Sequence, residues 1–489
     1  MNIITIFQQL ITKNANQNID KYLYNITKQF TNISPISNYQ EFIEKFDQFT
    51  SNFTKDAYEA FILKLDEDFM RSDERKRLYG SKGFVTKPIL THFGLINFKR
   101  RKYRNKEDGT SFKFVDELLG IERYSRIDPF VIGELCEEAT SNSYAKAGRN
   151  VSKNIGNKIK YNDDPNKFVL SRATTRNVVI KASEIIEVPV SEAEHKTISE
   201  LTVMIDEKMV PSQFNDNKDH MVKSAVVFES YEKEYKTGNR TRLVNKHTFA
   251  SIEKGSNTLM NDVADYIYFN YNTDKIERIN ILGDGANWIK GFAFNTTFKF
   301  HKNLTIQYGL DLFHTMQAIM RITTHKNKEV NNALTELLYE DKKEDFFELC
   351  NGFLDLNKHR EETITKNKDY LFNNWQHIQN TLRNINYKCS MEAHISHTLA
   401  DLLTARPKAY SEKGLRGLLK IRLLATNGYD LKRLYLDSLK SKRKKEEQIT
   451  LDNRIVTSKK VNDKYSDYFR ATLTRAEFCS KINNTNKIL

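Results

Sequence analysis

The chain has 489 residues, a formal net charge of +14 and 39% hydrophobic residues, among them 30 Phe and 23 Tyr. This aromatic content excludes a wholly disordered protein, and the length predicts roughly two to four structural units instead of one core. The basic charge favours a polyanionic partner. The absence of an apolar run of about 18 residues and of a signal peptide excludes a membrane protein, so we expect a soluble chain in the cytoplasm.

The first 124 residues divide into a helical region and a basic hairpin region. Residues 1–75 place apolar side chains three and four positions apart, which predicts helices. Within residues 76–124, the turn-like HFG separates FVTKPILT from LINFKRRKYRN, which predicts a β-hairpin, although Pro88 disfavours a central strand. The second strand carries candidate contacts to a DNA backbone, and a charged, solvated edge strand is the open alternative. These candidates are Lys99, Arg100 and Arg101.

Residues 125–195 are predicted to be helical, starting where Asp128 caps a helix and Pro129 takes its first position. A polar loop separates two predicted helices, DPFVIGELCEEATSNSYAKAGRNV and SRATTRNVVIKASEII. This arrangement is compatible with a helix-turn-helix whose second member, bearing Arg172 and Arg176, enters a major groove. Two helices that only pack against each other are the alternative.

Residues 196–325 are predicted to form an α/β core, a mixed sheet flanked by helices. Short β-rich runs such as ELTVMIDEKMV, MVKSAVVFESYE and RINILGDG are joined by helix-like stretches. Charged helices without a strand signal are expected over 326–386, and an apolar-periodic helix over 387–430. Residues 431–489 are a basic C-terminal region whose KSKRKK run is typical of a solvated helix or tail.

Two aspartates follow apolar strands of this core. Asp206 ends an alternation of Leu, Val and Ile, and Asp284 stands between two glycines after an apolar run, in ILGDGANWIK. A carboxylate at the end of a buried strand needs a partner, because desolvating an unpaired charge is costly. Each aspartate alone could be structural, but two of them in one sheet predict that they converge on a metal ion.

Glu392, in YKCSMEAHISHTLADLL, is the third candidate, because the helix dipole favours a carboxylate in the first turn of a helix. Transfer of a phosphodiester benefits from two divalent ions roughly 3.5–4 Å apart, and Mg²⁺ prefers carboxylate oxygens. Asp206, Asp284 and Glu392 could hold two such ions, with one aspartate bridging them. Nearby, Trp288 could stack on a base or belong to the core, and Lys290 could contact a phosphate.

Together these motifs resemble those of bacterial insertion-sequence transposases. TVMIDEKMV, ILGDGANWIK, LDLFH at 310–314 and CSMEAHISH are similar to motifs of the Lre family, long described only as an uncharacterised protein family and related to the Mutator-like transposases. PILTHFGLINFKRRKYRN and FVDELLG resemble the N-terminal block of that family. The similarity therefore covers most of residues 75–430.

The resemblance implies an RNase H-like catalytic domain with a helical insertion between Asp284 and Glu392. It implies a Mg²⁺-dependent DDE transposase, with Mn²⁺ as a substitute, acting on double-stranded DNA at the bacterial nucleoid. Such an enzyme binds terminal inverted repeats, cleaves at the element ends and joins the 3′-hydroxyl to target DNA, as a homodimer or larger assembly. Asp311 and His314 resemble an Asp-x-x-His signature near the active site, although a helix cap would also explain them.

Two other functions stay open. A decayed or domesticated copy would bind DNA without cutting it. A zinc hydrolase would use His394 and His397, although their spacing differs from the His-Glu-x-x-His motif. The four cysteines lie far apart in the sequence, so we expect reduced thiols and no zinc ribbon. Arg406 and Arg416, in TARPKAYSEKGLRGLLK, are further candidate clamps on a DNA backbone.

Overall fold

The structure is a computed structural model, and the residues it describes fall into two compact units. The first unit contains the described residues from 39 to 188 together with 429–442, and the second contains those from 194 to 428. The described residues are 39–156, 170–188, 194–214, 219–235, 241–252, 255, 257–294, 298, 300–385, 389, 391, 401–404 and 409–442. No helix in these ranges is long and apolar enough to cross a membrane.

The first unit begins with a long helix that leads into a three-stranded antiparallel sheet. Its elements are α1 (Tyr39–Arg71), α2 (Asp73–Leu78), β1 (Tyr79–Thr91), β2 (Gly94–Asn105), β3 (Ser111–Phe112) and α3 (Phe114–Leu118). The predicted hairpin is confirmed, with Leu90 opposite Leu95 near its turn. Pro88 is accommodated because β1 is an edge strand, where a missing N–H donor is tolerated. The helices predicted before residue 39 lie outside the described residues.

The basic strand β2 pairs with β1 along most of its length, and with β3 at Tyr103 and Arg104. Arg100 is 2% exposed and forms an ion pair with Asp116 of α3. Arg101 lies 3.3 Å from the carboxylate of Asp66 in α1. The guanidinium of Arg100, which we predicted to contact DNA, is therefore buried against an acid in this unit. Of the three basic candidates on this strand, Lys99 is the exposed one.

Three helices, and not the two predicted, follow the hairpin region. They are α4 (Pro129–Ala139), α5 (Tyr144–Gly156) and α6 (Arg172–Ile185). The predicted start is confirmed, because the Asp128 carboxylate accepts a hydrogen bond from the Val131 amide at 2.8 Å. The first predicted helix divides where polar side chains compete for backbone groups: Thr140 Oγ1 donates to the Glu137 carbonyl at 2.7 Å. Residues 431–442 add a further helix to this unit.

A mixed sheet forms the centre of the second unit, in agreement with the predicted α/β class. Its strands are β4 (Glu200–Val210), β5 (His220–Phe228), β8 (His247–Ser251), β9 (Arg278–Gly283) and β10 (Thr305–Leu310), with β6 (Ser230–Lys233) and β7 (Thr241–Val244) as a separate hairpin. The strand order is β10-β9-β4-β5-β8. β4, β9 and β10 are parallel, whereas β5 is antiparallel to both β4 and β8.

Helices surround this sheet and fill most of residues 326–386, as predicted. They are α7 (Asn257–Asn270), α8 (Asn287–Phe294), α9 (Leu312–Thr323), α10 (Lys328–Tyr339), α11 (Lys343–Leu356), α12 (Glu361–Arg383), α13 (Asp401–Leu403) and α14 (Glu412–Thr426). On one face of the sheet, Val203 and Ile281 pack against Ile267 of α7. On the other face, Met204 packs with Met391. The sheet is therefore buried on both sides, which explains the nearly continuous apolar runs of its parallel strands.

Candidate active site

Asp206 and Asp284 lie at the same level of the sheet, on neighbouring parallel strands. The last paired residues of β4 and β9 are Met204 and Leu282, and each aspartate follows two positions later in its chain. β4 continues beyond this point, paired with β5 alone. The two carboxylates therefore lie where β4 and β9 separate, at the carboxyl end of β9.

Asp311 joins them from the third parallel strand. Leu310 is the residue opposite Gly283 in the β10–β9 ladder, so Asp311 is opposite Asp284 one position later. The Asp311 amide donates to the Gly283 carbonyl at 2.8 Å and extends the ladder by one bond. Three adjacent parallel strands thus bring three aspartates to one edge of the sheet, where ligands of open α/β folds commonly bind.

Burial and charge repulsion act together on Asp206. The pKa of Asp206 is raised to about 6, chiefly by desolvation and also by the carboxylates of Asp284 and Glu207, whereas His314 acts to lower it. The Glu207 amide donates to Asp206 Oδ1 at 2.7 Å, which also lowers the pKa. The raised pKa means that the site concentrates negative charge and would gain from a bound cation.

Asp284 is held in a tight turn after β9. Its Oδ1 accepts a hydrogen bond from the Ala286 amide at 2.9 Å, and its carbonyl accepts one from the Tyr370 hydroxyl of α12 at 2.7 Å. Gly285 has φ +88°, and a Cβ on it would lie 2.9 Å from Leu310 Cδ1. The turn therefore needs glycine both for its backbone angle and for the close approach of β10.

Asp311 and His314 form a hydrogen-bonded pair at the start of α9. Asp311 is 5% exposed, and its Oδ1 accepts from the Phe313 amide at 2.9 Å as the helix N-cap. Its Oδ2 lies 3.1 Å from His314 Nδ1, so this nitrogen is the donor to the carboxylate. This hydrogen bond raises the pKa of His314 despite burial, and the charges of Asp311, Asp284 and Asp206 raise it further.

Trp288 belongs to a polar cluster with Glu207 and Lys223 that the sequence reasoning missed. Its indole N–H donates to the Glu207 carboxylate, and the Lys223 ammonium lies 5.5 Å from its ring centroid. Lys223 is 3% exposed and donates to the Gly255 carbonyl at 2.8 Å. Glu207 and Lys223 are opposite each other in β4 and β5, a pairing that becomes visible only once the strand register is known.

The third predicted ligand, Glu392, lies outside the described residues, as do His394, His397 and Arg406. The residue before Glu392, Met391, packs against Met204 of β4 and Leu282 of β9. Burial and the carboxylates of Asp311 and Asp206 raise the pKa of the Cys389 thiol well above its usual range. Cys389 and Met391 therefore lie near the strands that carry the aspartates.

The described residues do not bring three metal-binding side chains together. Within them, no group of three or more His, Cys, Asp or Glu side chains is arranged to hold a metal ion. Asp206 and Asp284 each keep one carboxylate oxygen, Oδ2, that accepts no hydrogen bond from a described residue. These hard oxygen donors suit Mg²⁺ or Mn²⁺, and the two aspartates fit such an ion as part of a larger ligand set.

The remaining predicted DNA contacts are dispersed. Arg172 is exposed and Arg176 is partly exposed on α6 of the first unit. Arg416 is exposed on α14 of the second unit, where its guanidinium contacts Glu412 at 2.6 Å. The backbone of Lys290 lies in α8, and its side chain is outside the described part of the chain.

Comparison with known proteins identifies relatives over most of the chain. A family model described as "Uncharacterised protein family (UPF0236)" matches residues 35–439. A UPF0236 protein of Caldanaerobacter subterraneus subsp. tengcongensis is 29% identical over 433 residues, which is 87% of this chain and 85% of the relative. Another from this organism, whose name joins eleven designations, is 28% identical over 431 residues, with the same coverage of both chains. A UPF0236 protein in the vanSb 3′ region of Streptococcus gallolyticus is 25% identical over 338 residues, 66% of this chain and 68% of the relative.

Proposed function

The chain belongs to the uncharacterised protein family UPF0236, and we propose that it is a Mg²⁺-dependent DDE transposase of the Lre type. In this proposal it binds the terminal inverted repeats of a mobile element, cleaves at the element ends and joins the freed 3′-hydroxyl to target DNA. The observation that carries the proposal is the alignment of Asp206, Asp284 and Asp311 on three neighbouring parallel strands.

The order of the strands supports an RNase H-like catalytic domain. In chain order β4, β5, β8, β9 and β10, the first three strands are antiparallel neighbours, and the last two add in parallel on the other side of β4. The resemblance predicts a mixed sheet for the catalytic core, and this arrangement supports that part of the proposal. The helices α10, α11 and α12 follow β10 and α9, and they correspond to the predicted insertion between Asp284 and Glu392.

The chemistry of the donor set supports a divalent cation at these carboxylates. Asp206 and Asp284 each supply an oxygen that bonds no described residue, and positive charge would offset both the burial and the repulsion from Asp284 that raise the pKa of Asp206. Glu392 would complete the ligand set, since Met391 already packs against the strands that carry both aspartates. When bound, two such ions would activate the attacking oxygen and stabilise the leaving one.

The residues of the chain have distinct tasks in this mechanism. Asp206 and Asp284 would bind the divalent ions and orient them. Their carboxyl groups must be deprotonated to do so. The Asp311–His314 pair is fixed by its hydrogen bond, and the free Nε2 of His314 would hold a proton near the reacting phosphate. The Tyr370 hydroxyl holds the Asp284 turn in place through the Asp284 carbonyl.

The relatives add an independent reason to propose a transposase. One name joins eleven designations from a single organism, which we interpret as eleven copies of one coding sequence in its genome. Repeated copies are typical of mobile elements. Joining two DNA ends requires both to be held together, so we also propose an assembly of at least two copies on DNA. The net charge of +14 favours this polyanionic partner.

A strand-transfer assay with pre-cut element ends, target plasmid and Mg²⁺ or Mn²⁺ tests the proposal. We expect Asp284→Ala to lower the joining rate by at least about a hundredfold, on the order of 3 kcal/mol in the activation free energy. Asp274→Ala removes an exposed carboxylate of the same unit and serves as the matched control. Joining by Asp284→Ala at the rate of the control would overturn the site.

The same assay separates the transposase from a decayed copy that only binds DNA. A decayed copy would bind end DNA equally well with and without the Asp284→Ala change, and neither protein would join it to the plasmid. A zinc hydrolase would instead depend on His394 and remain active as Asp206→Ala.

A further inference from the structure

A polar cavity of about 670 Å³ lies at the opposite end of the parallel strands from the aspartates. It is formed by the first residues of β10, the first residue of β9 and the last turns of α12. No Asp or Glu lines it, although acids are plentiful elsewhere in the sequence. Its polar side chains come from Arg278, Gln307, His377, Asn380, Arg383 and Asn384.

The two arginines keep hydrogen-bonding capacity in this cavity. The contact of Arg278 that the structure shows is a long one, from one guanidinium nitrogen to the Asn384 carbonyl at 3.5 Å. Arg383 Nε donates to Gln379 at 3.0 Å and lies 3.9 Å from the Asp341 carboxylate, and Arg383 Nη2 makes a long contact of 3.5 Å with the Tyr339 carbonyl. A guanidinium has five N–H donors, and among the described residues the structure shows a hydrogen bond from one nitrogen of Arg278.

The edge of the sheet beside the cavity is already closed to another strand. Asn380 Nδ2 donates to the Tyr308 carbonyl at 2.9 Å, and Thr381 Oγ1 donates to the Leu310 carbonyl at 2.8 Å. Side chains of α12 thus occupy the acceptors that an added strand would need. What the cavity offers is N–H donors and two guanidinium groups, with no Asp or Glu among its described lining residues, which favours an anion over a peptide.

We propose that this cavity binds a phosphate group, with Arg278 and Arg383 as the charged donors. Arginine matches the geometry of phosphate oxygens with two parallel hydrogen bonds, and the cavity volume is within the range of ligand sites. The source of the phosphate is either the backbone of DNA or a free nucleotide. The inference that the phosphate belongs to DNA rests on the proposed function. The inference that the cavity binds a phosphate group does not.

The distance between the cavity and the aspartates suits the spacing of phosphates along a DNA backbone. From Thr305 to Asp311 the chain advances six residues, or about 20 Å at roughly 3.3 Å per residue of strand. A duplex rises about 3.4 Å per base pair, so the cavity and the aspartates would contact phosphates about six base pairs apart along the axis. One duplex could therefore bind at both places.

Equilibrium binding to the full-length protein tests the proposal, with a fluorescent duplex DNA in one arm and deoxyadenosine monophosphate in the other. We expect Arg278→Gln and Arg383→Gln each to weaken DNA binding roughly tenfold and to reduce the salt slope by about one. Lys366→Gln removes an exposed charge from the same helix, far from the cavity, and should leave both quantities unchanged. Circular dichroism of each variant establishes that it is folded.

The outcomes are distinguishable from those of the strand-transfer assay. Loss of nucleotide binding with unchanged DNA binding would keep the phosphate site and assign it to a free nucleotide. Binding of both probes that is unchanged in Arg278→Gln and Arg383→Gln overturns the proposal, whatever the joining activity. If the protein joins no DNA ends but the arginine variants still lose phosphate binding, the cavity stands and the transposase proposal fails.

Discussion

His314 and Asp311 form a pair across the first turn of α9, with Nδ1 of the histidine 3.1 Å from Oδ2 of the aspartate. The other oxygen of Asp311 caps the helix, so one carboxylate performs both tasks. Because the pair raises the pKa of His314, the imidazolium persists to higher pH than in the unfolded chain. This stabilising contribution is present below pH 6.5 and is lost as the pH rises through the raised pKa.

Asp311→Asn should therefore lower the pKa of His314, since asparagine still caps a helix but carries no charge. NMR titration of the imidazole measures this pKa, with Asp274→Asn as the control for an exposed acid. The variant should also lose more stability near pH 6 than near pH 9. A His314 pKa equal to that of the unmodified protein would contradict the pairing.

Tyr370→Phe removes the hydroxyl that donates to the Asp284 carbonyl at 2.7 Å. We expect the free energy of unfolding of the second unit to fall by about 0.5–1.5 kcal/mol, because a hydrogen bond of α12 to the turn is lost. Urea unfolding measures this change. Tyr339→Phe, at a 55% exposed position, is the control and should be neutral. Equal midpoints for the two variants would argue against the contact.

Arg100→Ala should destabilise the first unit by up to about 3–5 kcal/mol, because it leaves the buried Asp116 to the more distant Lys113, whose ammonium lies 4.0 Å from the carboxylate. The side chains of the pair are only 3% and 8% exposed, so solvent screens them little. Lys99→Ala, at the exposed neighbouring position, should change stability by less than about 0.5 kcal/mol. Thermal or urea unfolding followed by a probe in the first unit distinguishes them, and similar losses in both variants would refute a buried ion pair.

His247 should make the second unit sensitive to acid. Burial lowers the pKa of His247 to about 4, and its ring stacks on Tyr266 with centroids 4.3 Å apart. A lowered histidine pKa means that the unfolded chain takes up the proton first, so stability declines as the pH falls from 6.5 to 4, by at most roughly 3 kcal/mol.

His247→Gln should remove this part of the pH dependence, while His195→Gln, at an exposed position, should keep it. Unfolding midpoints measured between pH 4 and pH 7 provide the comparison. A His247→Gln profile parallel to that of the control would show that the buried imidazole does not titrate as expected.

Local patterns predicted those parts of the site that depend on neighbours in the sequence. Asp206 and Asp284 could be found because an apolar run that stops at an acid marks where a buried strand opens. Tyr370 could not be found, since 86 residues separate it from Asp284. The pairing of Arg100 with Asp116 could not be predicted either, because only tertiary folding brings this acid close.

Prediction of the fold from local sequence patterns has the same limit. Alternation and helical periodicity were enough to predict a mixed α/β class, because each strand and helix carries its own signal. The register that aligns Asp311 with Asp284 belongs to the pairing of β10 with β9, which no single segment encodes. The division of the predicted first helix of residues 125–195 depended on Thr140, whose hydroxyl competes for a backbone carbonyl.

Helix α12 carries Tyr370, which contacts the Asp284 turn, and Arg383, which lines the polar cavity at the other end of the parallel strands. At about 1.5 Å per residue, the helix fixes their separation along its axis at about 20 Å. One inserted or deleted residue between them would rotate every later side chain by about 100° and detach one contact or the other. Natural variation in this stretch should therefore consist of substitutions at constant length, whereas gains and losses of residues should be confined to the loops between helices.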